Sequence, residues 1–573
     1  MTPAFRIVLL VSAVLKIGLA LLVGETAPRY DETEYVEFGR EIYEEGAEPR
    51  LWRAPMEQWI VAGGMALTGG KLVGGRLIGA VLSVLTVWLV YRAARRVAGE
   101  RAAFWAATLL AFYPSHVAFS HWFWSETVYM FFTALALERL LAADAGGGPA
   151  DDGARAAGAG SGWVGGQAIA AAAVAGAACG GAALSRSLGL VMLALAAAWL
   201  TLGRGRRGFA LAVVAVVAAA VVVAPYSFRA SQRAETLVLT DVNGPFNFWS
   251  GNNRYIPDDV GMIWALGLPL ENGLAPRFLA YYPDDEFRRE VPLRLGEAGV
   301  TDAQGPDGAA WYRREAWESI SEEPLGVLRR APKKLAALWG PDMFLPRYLL
   351  RDWYGELSPW LAGGVTILTW LAAAIALIAG AAAMAALRPS RFRTLAWAWT
   401  AAYVVLHAVA YGHTRMHQPL IPLLLISLFA FFLDRDDPPD RARLLRRGAP
   451  PAALAVAAWV AVWPLLGGLY VYPGPRHAAM ARFLAIGHDL PLPGAQRQVW
   501  SLATVEASLD RNEEAVALLD QSRHGDLAWS WLLRALMTTD RDEARRCVDR
   551  ALEREPYLEP AEILKRQLEA SAR

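Results

Sequence analysis

The sequence predicts an all-α polytopic membrane protein, and three observations lead to this fold class. Of its 573 residues, 55% are hydrophobic and only 19% are charged. The apolar residues are concentrated in runs of about 20, the length that an α-helix needs to cross a bilayer. Tryptophans such as Trp52, Trp59, Trp122 and Trp124 lie beside these runs, as in the aromatic belts of membrane proteins.

The apolar runs predict about eleven spanning helices. Arginine clusters follow the second, sixth and eighth runs and precede the eleventh, so all four lie on one side of the membrane. Because positive charge is retained in the cytoplasm, we expect a cytoplasmic N-terminus and an extracytoplasmic C-terminus. The runs are 5–24, 72–91, 102–119, 126–143, 164–184, 187–203, 208–225, 359–386, 395–411, 418–433 and 450–471.

This topology divides the chain into a membrane domain, 1–471, and an extracytoplasmic helical tail, 472–573. The membrane domain carries two large outer segments. Segment 25–71 is partly amphipathic and predicts helices lying in the interface, whereas 226–358 is a larger outer loop. In the tail, two acidic turn-and-restart signals at 510–515 and 540–544 are typical of a tetratricopeptide-like pair. An ordinary helical cap is the alternative.

Charge and cysteine content exclude other classes of protein. Lysine and arginine number 56 against 55 acidic residues, so no nucleic-acid partner is expected. Cys179 and Cys547 are too few for a disulfide framework, and we expect both to be buried packing residues. Neither a phosphate-binding glycine loop nor a His/Cys metal spacing is present.

Ionisable residues at the outer ends of separate spans are the candidate functional groups. Charges at a membrane face are costly to bury and therefore informative. If the bundle brings them together, carboxylates face cations: a carboxylate can activate a nucleophile, and arginine or histidine can stabilise a departing phosphate. Interfacial solvation, snorkelling and turn formation are the alternatives. The groups are Asp31, Glu32 and Glu34; Glu126; Arg186; and His413, Arg415 and His417.

These residues carry a resemblance to a known family. Asp31-Glu32-Thr33-Glu34-Tyr35, followed by Arg40-Glu41, resembles the first outer loop of the GT-C glycosyltransferases, particularly the bacterial aminoarabinose transferase and protein O-mannosyltransferase branch. That branch continues with Lys-Pro-Pro ending in Tyr-Trp, where this chain has Arg53-Ala54-Pro55 leading to Trp59. Weaker matches, including Ser125-Glu126-Thr127, Ser185-Arg186 and Arg415 with Pro419 and Pro422, occur in the same order through about residue 435.

The resemblance implies a site and a reaction. Asp31 would be the catalytic carboxylate, acting as general base toward an acceptor hydroxyl. Arg415, with Arg53, Arg186 and His413, would hold the phosphate of a polyprenyl-phosphate sugar, and Glu126 would position the sugar or a cation. Glu32, Tyr35 and His417 complete the expected substrate-binding set. The family also implies inversion at the anomeric carbon, a bacterial inner-membrane location, and a glycan, lipid or protein acceptor.

Some alternatives remain open at this stage. Carboxylates such as Asp31 and Glu32 can bind a divalent cation through oxygen ligands, so a metal cofactor is neither required nor excluded. Transporters and lipid flippases often carry internal repeats and mid-membrane charges. Neither feature is seen in this sequence, whose charges lie at the ends of the spans, so this class is disfavoured. A non-catalytic scaffold that recruits partners through its C-terminal repeats is the third hypothesis. Membrane lipids are expected contacts in every case.

Overall fold

The computed structural model describes most of the membrane domain and three helices of the tail. Its regular secondary structure in these residues is entirely helical, in agreement with the predicted all-α class. The described residues are 1–28, 31–145, 165–253, 291–350, 353–355, 357–412, 414–434, 438–469, 516–517, 519–520, 528–538, 540–554 and 559–570.

The helices are numbered in chain order. They are α1 (Pro3–Val23), α2 (Asp31–Glu45), α3 (Pro55–Thr68), α4 (Val73–Ala111), α5 (Pro114–Phe119), α6 (Ser125–Ala145), α7 (Gly166–Ser185), α8 (Leu188–Thr201), α9 (Gly205–Ala234), α10 (Gly244–Ser250), α11 (Val291–Glu297), α12 (Pro306–Glu322), α13 (Pro324–Trp339), α14 (Phe344–Leu350), α15 (Pro359–Ala374), α16 (Gly380–Ala386), α17 (Arg391–Val409), α18 (Ile421–Leu433), α19 (Arg441–Arg443), α20 (Ala449–Leu469), α21 (Ala528–Met537), α22 (Arg541–Arg554) and α23 (Glu559–Ala570). A π-turn, Ile375–Ala379, joins α15 to α16, and a 3₁₀ helix, Thr414–Leu420, precedes α18.

Within the described residues, six helical segments are long and apolar enough to cross a membrane: Pro3–Val23, Val73–Ala111, Gly166–Ser185, Gly205–Ala234, Trp360–Ala386 and Thr414–Leu433. One of them, α4, is interrupted at Ala98 and Gly99, where Gly99 has φ +79°. Predicted span 72–91 falls on its first half, and 102–119 covers its second half and α5. Predicted spans 5–24, 164–184, 208–225, 359–386 and 418–433 coincide with the other five segments. The remaining predicted spans, 126–143, 187–203, 395–411 and 450–471, lie on helices that are not among the six, and the number eleven stays a prediction.

The chain divides into two compact units, and the described part of the first runs from 1 to 253 and from 300 to 462. Its core is rich in alanine and glycine, which let helix backbones approach closely where lipid supplies no hydrophobic drive. On α7, a Cβ added to Gly176 would collide with the backbone of Ala215 on α9. Cys179, on the same helix, is free and buried, as expected.

The second unit contains α11 and the tail helices α21–α23. Helix α22 buries one face, including Cys547 and Val548, and Asp540 caps its start by accepting the backbone N–H groups of Asp542 and Glu543 at 2.8 and 3.2 Å. This helix start coincides with the second of the two predicted turn-and-restart signals, at 540–544. The first, at 510–515, lies outside the described residues.

Arg76 holds the outer loops of the first unit in place. Its fully buried guanidinium donates to the backbone carbonyls of Gly24, Thr26 and His121 at 2.9, 2.7 and 2.6 Å. Three bonds to carbonyls of two separate loops satisfy a charge that would otherwise be costly to bury. Helices α2 and α3, which correspond to the predicted interfacial helices of segment 25–71, are thereby fixed beside the start of α4.

Candidate active site

Asp31 lies in the first turn of α2, where a carboxylate interacts favourably with the helix dipole. Its Oδ2 is 2.8 Å from Nη2 of Arg415, and its Oδ1 is 3.6 Å from Nη2 of Arg53. Arg53 lies in the turn between α2 and α3, and its Nε is 2.7 Å from Oε2 of Glu34. Asp31 is therefore held between two arginines from different parts of the chain.

Arg415 connects Asp31 to the second carboxylate of the site. It lies in the 3₁₀ helix before α18, with its guanidinium carbon 4.3 Å from the ring centroid of Trp124. Its Nε is 3.5 Å from Oε1 of Glu126. The planar guanidinium suits this position, because it can stack on an aromatic ring while facing two carboxylates.

Arg186 also contacts Glu126, at the same carboxylate oxygen as Arg415. It follows the last residue of α7, and its Nη2 is 2.9 Å from Oε1 of Glu126 while its Nε donates to Ser125 Oγ at 3.1 Å. Glu126 is fully buried in the first turn of α6. Its charge is compensated by Arg186 and Arg415, as a buried carboxylate requires.

The ion-paired side chains surround a cavity of about 360 Å³. One wall is cationic and includes Arg53, Arg186 and Arg415. A second group of lining residues consists of Asp241 and the asparagines near the start of α10. The cavity is lined by Asp31, Tyr35, Arg53, Ala54, Trp124, Ser125, Ser185, Arg186, Ser187, Leu188, Val191, Asp241, Asn243, Gly244, Asn247, Leu406, His407, Ala410, Tyr411, Arg415 and Met416.

Burial and charge shift the pKa values around the cavity in definite directions. Burial raises the pKa of Tyr35, with the cation of Arg53 opposing it. Burial alone would lower the pKa of Arg53, but the carboxylates of Glu34 and Asp31 outweigh it and raise that pKa. The pKa of Asp241 is raised by burial, against hydrogen bonds from Thr240 and from backbone N–H groups. Arg53 is therefore a permanent cation facing the cavity.

Part of the wall of this site matches a known family. Residues 52–145 match the family described as dolichyl-phosphate-mannose-protein mannosyltransferase. This segment contains Arg53, Trp124 and Glu126, so the resemblance inferred from the sequence is confirmed there. Together with the six apolar segments, the match supports a multi-pass membrane protein that is similar to glycosyltransferases.

Several solved structures are similar to this chain at low identity. ArnT from Cupriavidus metallidurans, crystallised with undecaprenyl phosphate, is 16% identical over 96% of this chain and 80% of its own, with a TM-score of 0.43. The oligosaccharyltransferase of Archaeoglobus fulgidus is 14% identical over 87% of this chain and 59% of its own, with a TM-score of 0.44. The S. cerevisiae Pmt1–Pmt2 complex is 19% identical over 42% and 35%, with a TM-score of 0.32. No curated protein matches the chain.

The structure brings most of the predicted site residues together. Asp31, Arg53, Glu126, Arg186 and Arg415 form one ion-paired cluster, and Tyr35 lines the same cavity. Their sequence separation is large, but each lies at the end of a helix or in the turn beside one. Glu34 joins the cluster by pairing with Arg53.

Two predicted residues that the structure describes lie outside the cavity. Glu32 is fully buried outside the cavity, where its Oε1 accepts the backbone N–H of Phe123 at 2.8 Å and its Oε2 accepts the Tyr348 hydroxyl at 3.0 Å. His417 is buried with its Nδ1 2.8 Å from the carbonyl of Leu338. Both hold neighbouring segments together in this arrangement. His413 lies outside the described residues.

Other lining residues were not singled out from the sequence as site residues. Asp241, His407 and Tyr411 carry no local motif, and only the cavity relates them to Asp31. Asn243 and Asn247 belong to a stretch of the sequence that is rich in Asn and Gly, which was the available signal. Among the described residues, no group of three or more His, Cys, Asp or Glu side chains is arranged to hold a metal ion.

Proposed function

We propose that the protein transfers a sugar from a polyprenyl-phosphate donor to an acceptor on the extracytoplasmic face of a bacterial inner membrane, with inversion at the anomeric carbon. The observation that carries the proposal is the position of Asp31, a carboxylate that lines the same cavity as Arg186 and Arg415. Residues 1–471 would form the transferase domain, and 472–573 would offer a surface for a glycan, lipid or protein acceptor.

The arginines supply what a phosphate leaving group needs. When the bond between the anomeric carbon and the phosphate oxygen breaks, that oxygen gains negative charge. Preorganised cations directed at the developing charge lower the barrier without reorganising water. Arg415 and Arg186 are already held by Glu126, so their guanidinium groups are oriented before the donor arrives.

Asp31 acts as the general base that accepts the proton of the acceptor hydroxyl. The acceptor hydroxyl loses its proton to Asp31 as its oxygen attacks the anomeric carbon from the face opposite the phosphate. The electron pair of the broken bond remains on the phosphate oxygen, giving polyprenyl phosphate, and the configuration inverts. Asp31 then releases the proton to the leaving phosphate or to water. A base positioned within hydrogen-bond reach contributes about 10²–10⁴-fold to such a step.

The decisive substitution is Asp31→Asn, which keeps the shape of the side chain and removes the base. We expect transfer to fall by about 10²–10⁴-fold, measured as release of undecaprenyl phosphate from labelled undecaprenyl-phosphate sugars by membranes containing the full chain. Glu37→Gln, at an exposed position on the same helix, is the matched control and should retain activity.

Two outcomes would contradict the proposal. One is undiminished transfer by an Asp31→Asn protein that is present at the wild-type level. The other is movement of the intact lipid-linked sugar across the membrane without cleavage of the sugar–phosphate bond, which would instead support a transporter.

A further inference from the structure

The cavity has a second wall that takes no part in the proton and phosphate chemistry described above. It is built from the segment that begins at Asp241 and continues into α10. Asp241, Asn243 and Asn247 line the cavity from this segment, and the charge of Arg53 is close enough to act on Asp241. Three amide or carboxylate side chains within seven residues form a hydrogen-bonding surface rather than an apolar one.

This wall is rigid, because it is fixed at both ends. The backbone N–H of Val242 donates to the carbonyl of Leu51 at 2.9 Å, which ties the wall to the turn carrying Arg53. At the other end, the indole of Trp249 is buried against Tyr312 of α12, with ring centroids 5.0 Å apart. A ligand in the cavity would therefore meet a preformed surface.

The polar side chains of the wall are ordered by their own hydrogen bonds. Asp241 Oδ1 accepts the backbone N–H of Asn243 at 3.1 Å, and its Oδ2 accepts the hydroxyl of Thr240 at 3.1 Å. The amide nitrogen of Asn247 donates to Oδ1 of Asn243 at 2.5 Å. These bonds fix the direction of each group.

Hydrogen-bonding capacity remains after these contacts. A carboxylate offers about four acceptor positions, and three on Asp241 are used by the Thr240 hydroxyl and by the backbone N–H groups of Asn243 and Gly244. Within the described part of the chain, the amide nitrogen of Asn243 and the amide oxygen of Asn247 have no hydrogen-bond partner, which leaves donors and an acceptor. Adjacent hydroxyl groups both donate and accept, so this combination suits a sugar ring.

The charges around the cavity restrict which sugar fits. Arg53, Arg186 and Arg415 pair with Asp31, Glu34 and Glu126. Asp241 adds a carboxylate that makes no ion pair among the described residues. A sugar presenting hydroxyl or ammonium hydrogens to this wall is attracted, whereas a sugar acid would bring a second carboxylate against Asp241 and be repelled.

We propose that Asp241, Asn243 and Asn247 form the sugar subsite of the donor, and that Asp241 selects neutral or amino sugars against sugar acids. The inference rests on the proposed function, since it assigns the sugar of the same lipid-linked donor. The phosphate of that donor lies on the arginine wall, and the sugar extends from it across the cavity to the asparagine wall.

The test measures binding of defined lipids to the full chain in nanodiscs, by native mass spectrometry. The probes are undecaprenyl phosphate and its glucose, mannose, aminoarabinose and glucuronic acid conjugates. The wild type should bind at least one neutral or amino conjugate more tightly than undecaprenyl phosphate, and the glucuronic acid conjugate more weakly. Asp241→Asn should reduce both of these differences in binding affinity by about tenfold. It should leave the affinity for undecaprenyl phosphate itself unchanged.

Two further variants keep the test decisive. Asp307→Asn removes a carboxylate from an exposed position in the first turn of α12 and should bind every probe like the wild type. Asn247→Ala should also weaken the preferred conjugate selectively, and it serves if Asp241→Asn fails to fold as judged by thermal unfolding.

The possible failures are distinguishable. If the wild type discriminates among conjugates and both wall variants keep the same ratios, the subsite is wrong while the proposed transfer stands. A wild type that binds all lipids equally also overturns the subsite. Failure to bind any polyprenyl phosphate would overturn the proposed function and the subsite together.

Discussion

At the scale of single residues, the site is a set of arginines that each face more than one acceptor. Arg415 contacts Asp31 and Glu126 while its guanidinium lies over the ring of Trp124. Fixed planar geometry makes one side chain serve two carboxylates and a ring, which a flexible ammonium group cannot reproduce. The arrangement therefore depends on arginine itself and not only on positive charge.

Arg415→Lys tests this dependence. The substitution keeps the positive charge but removes the planar guanidinium and its stacking on Trp124. Because the leaving phosphate would then be stabilised less well, transfer should fall by about 10²-fold. The measurement is release of undecaprenyl phosphate from the labelled donor. Arg229→Lys, at an exposed position on α9, is the matched control. Wild-type turnover in Arg415→Lys would show that a point charge suffices.

At the scale of elements, the site depends on the close approach of α3 to α4. Gly64 on α3 lies against Gly74 and Gly75 on α4, and a Cβ on Gly64 would lie 2.5 Å from Gly75 Cα. Glycine at this crossing allows the backbones to meet, as in other membrane helix pairs. The turn carrying Arg53 directly precedes α3, so the position of that helix sets the position of the arginine.

Gly64→Ala should displace α3 and misplace Arg53 relative to Asp31. A shift of about 1 Å at a reacting group can cost about 10²-fold in rate, so we expect a comparable loss of transfer together with a lower melting temperature. Gly63→Ala is a close control, because a Cβ at the adjacent position meets nothing within 4 Å. Equal activity and stability in the two variants would contradict this account of the crossing.

At the scale of the whole molecule, stability should depend on pH through Glu57. This carboxyl on α3 is 4% exposed, and burial, followed by the charges of Glu126 and Glu32, raises its pKa well above the ordinary value of 4.5. The folded state therefore holds this proton more tightly than the unfolded chain does. Its stabilising effect is complete below pH 4.5 and is lost as pH rises toward the raised pKa.

Glu57→Gln should remove this loss of folding stability at rising pH. The variant is expected to gain thermal stability relative to the wild type as pH rises from 4.5 to neutrality, because a neutral amide has no proton to lose on unfolding. Thermal unfolding of the detergent-solubilised chain at several pH values measures the difference. Glu44→Gln, exposed on α2, should follow the wild-type curve. A Glu57→Gln curve parallel to the wild type would exclude the buried proton.

Sequence alone predicts the helical membrane class and the residues that cluster at the site. A bilayer requires apolar helical runs and places the charged residues at their ends. That constraint identified Glu126, Arg186 and Arg415 on one predicted face before any distance was known. The family motif then separated Asp31 from its acidic neighbours.

Tertiary structure decided which of those residues meet. Asp31 and Glu32 are adjacent in sequence but about 100° apart around a helix, so one faces the cavity and the other packs against Tyr348, 316 residues away. Asp241 joined the site only because Val242 pairs with Leu51. Contacts between distant segments depend on helix packing and loop closure, and local patterns in the sequence do not encode either.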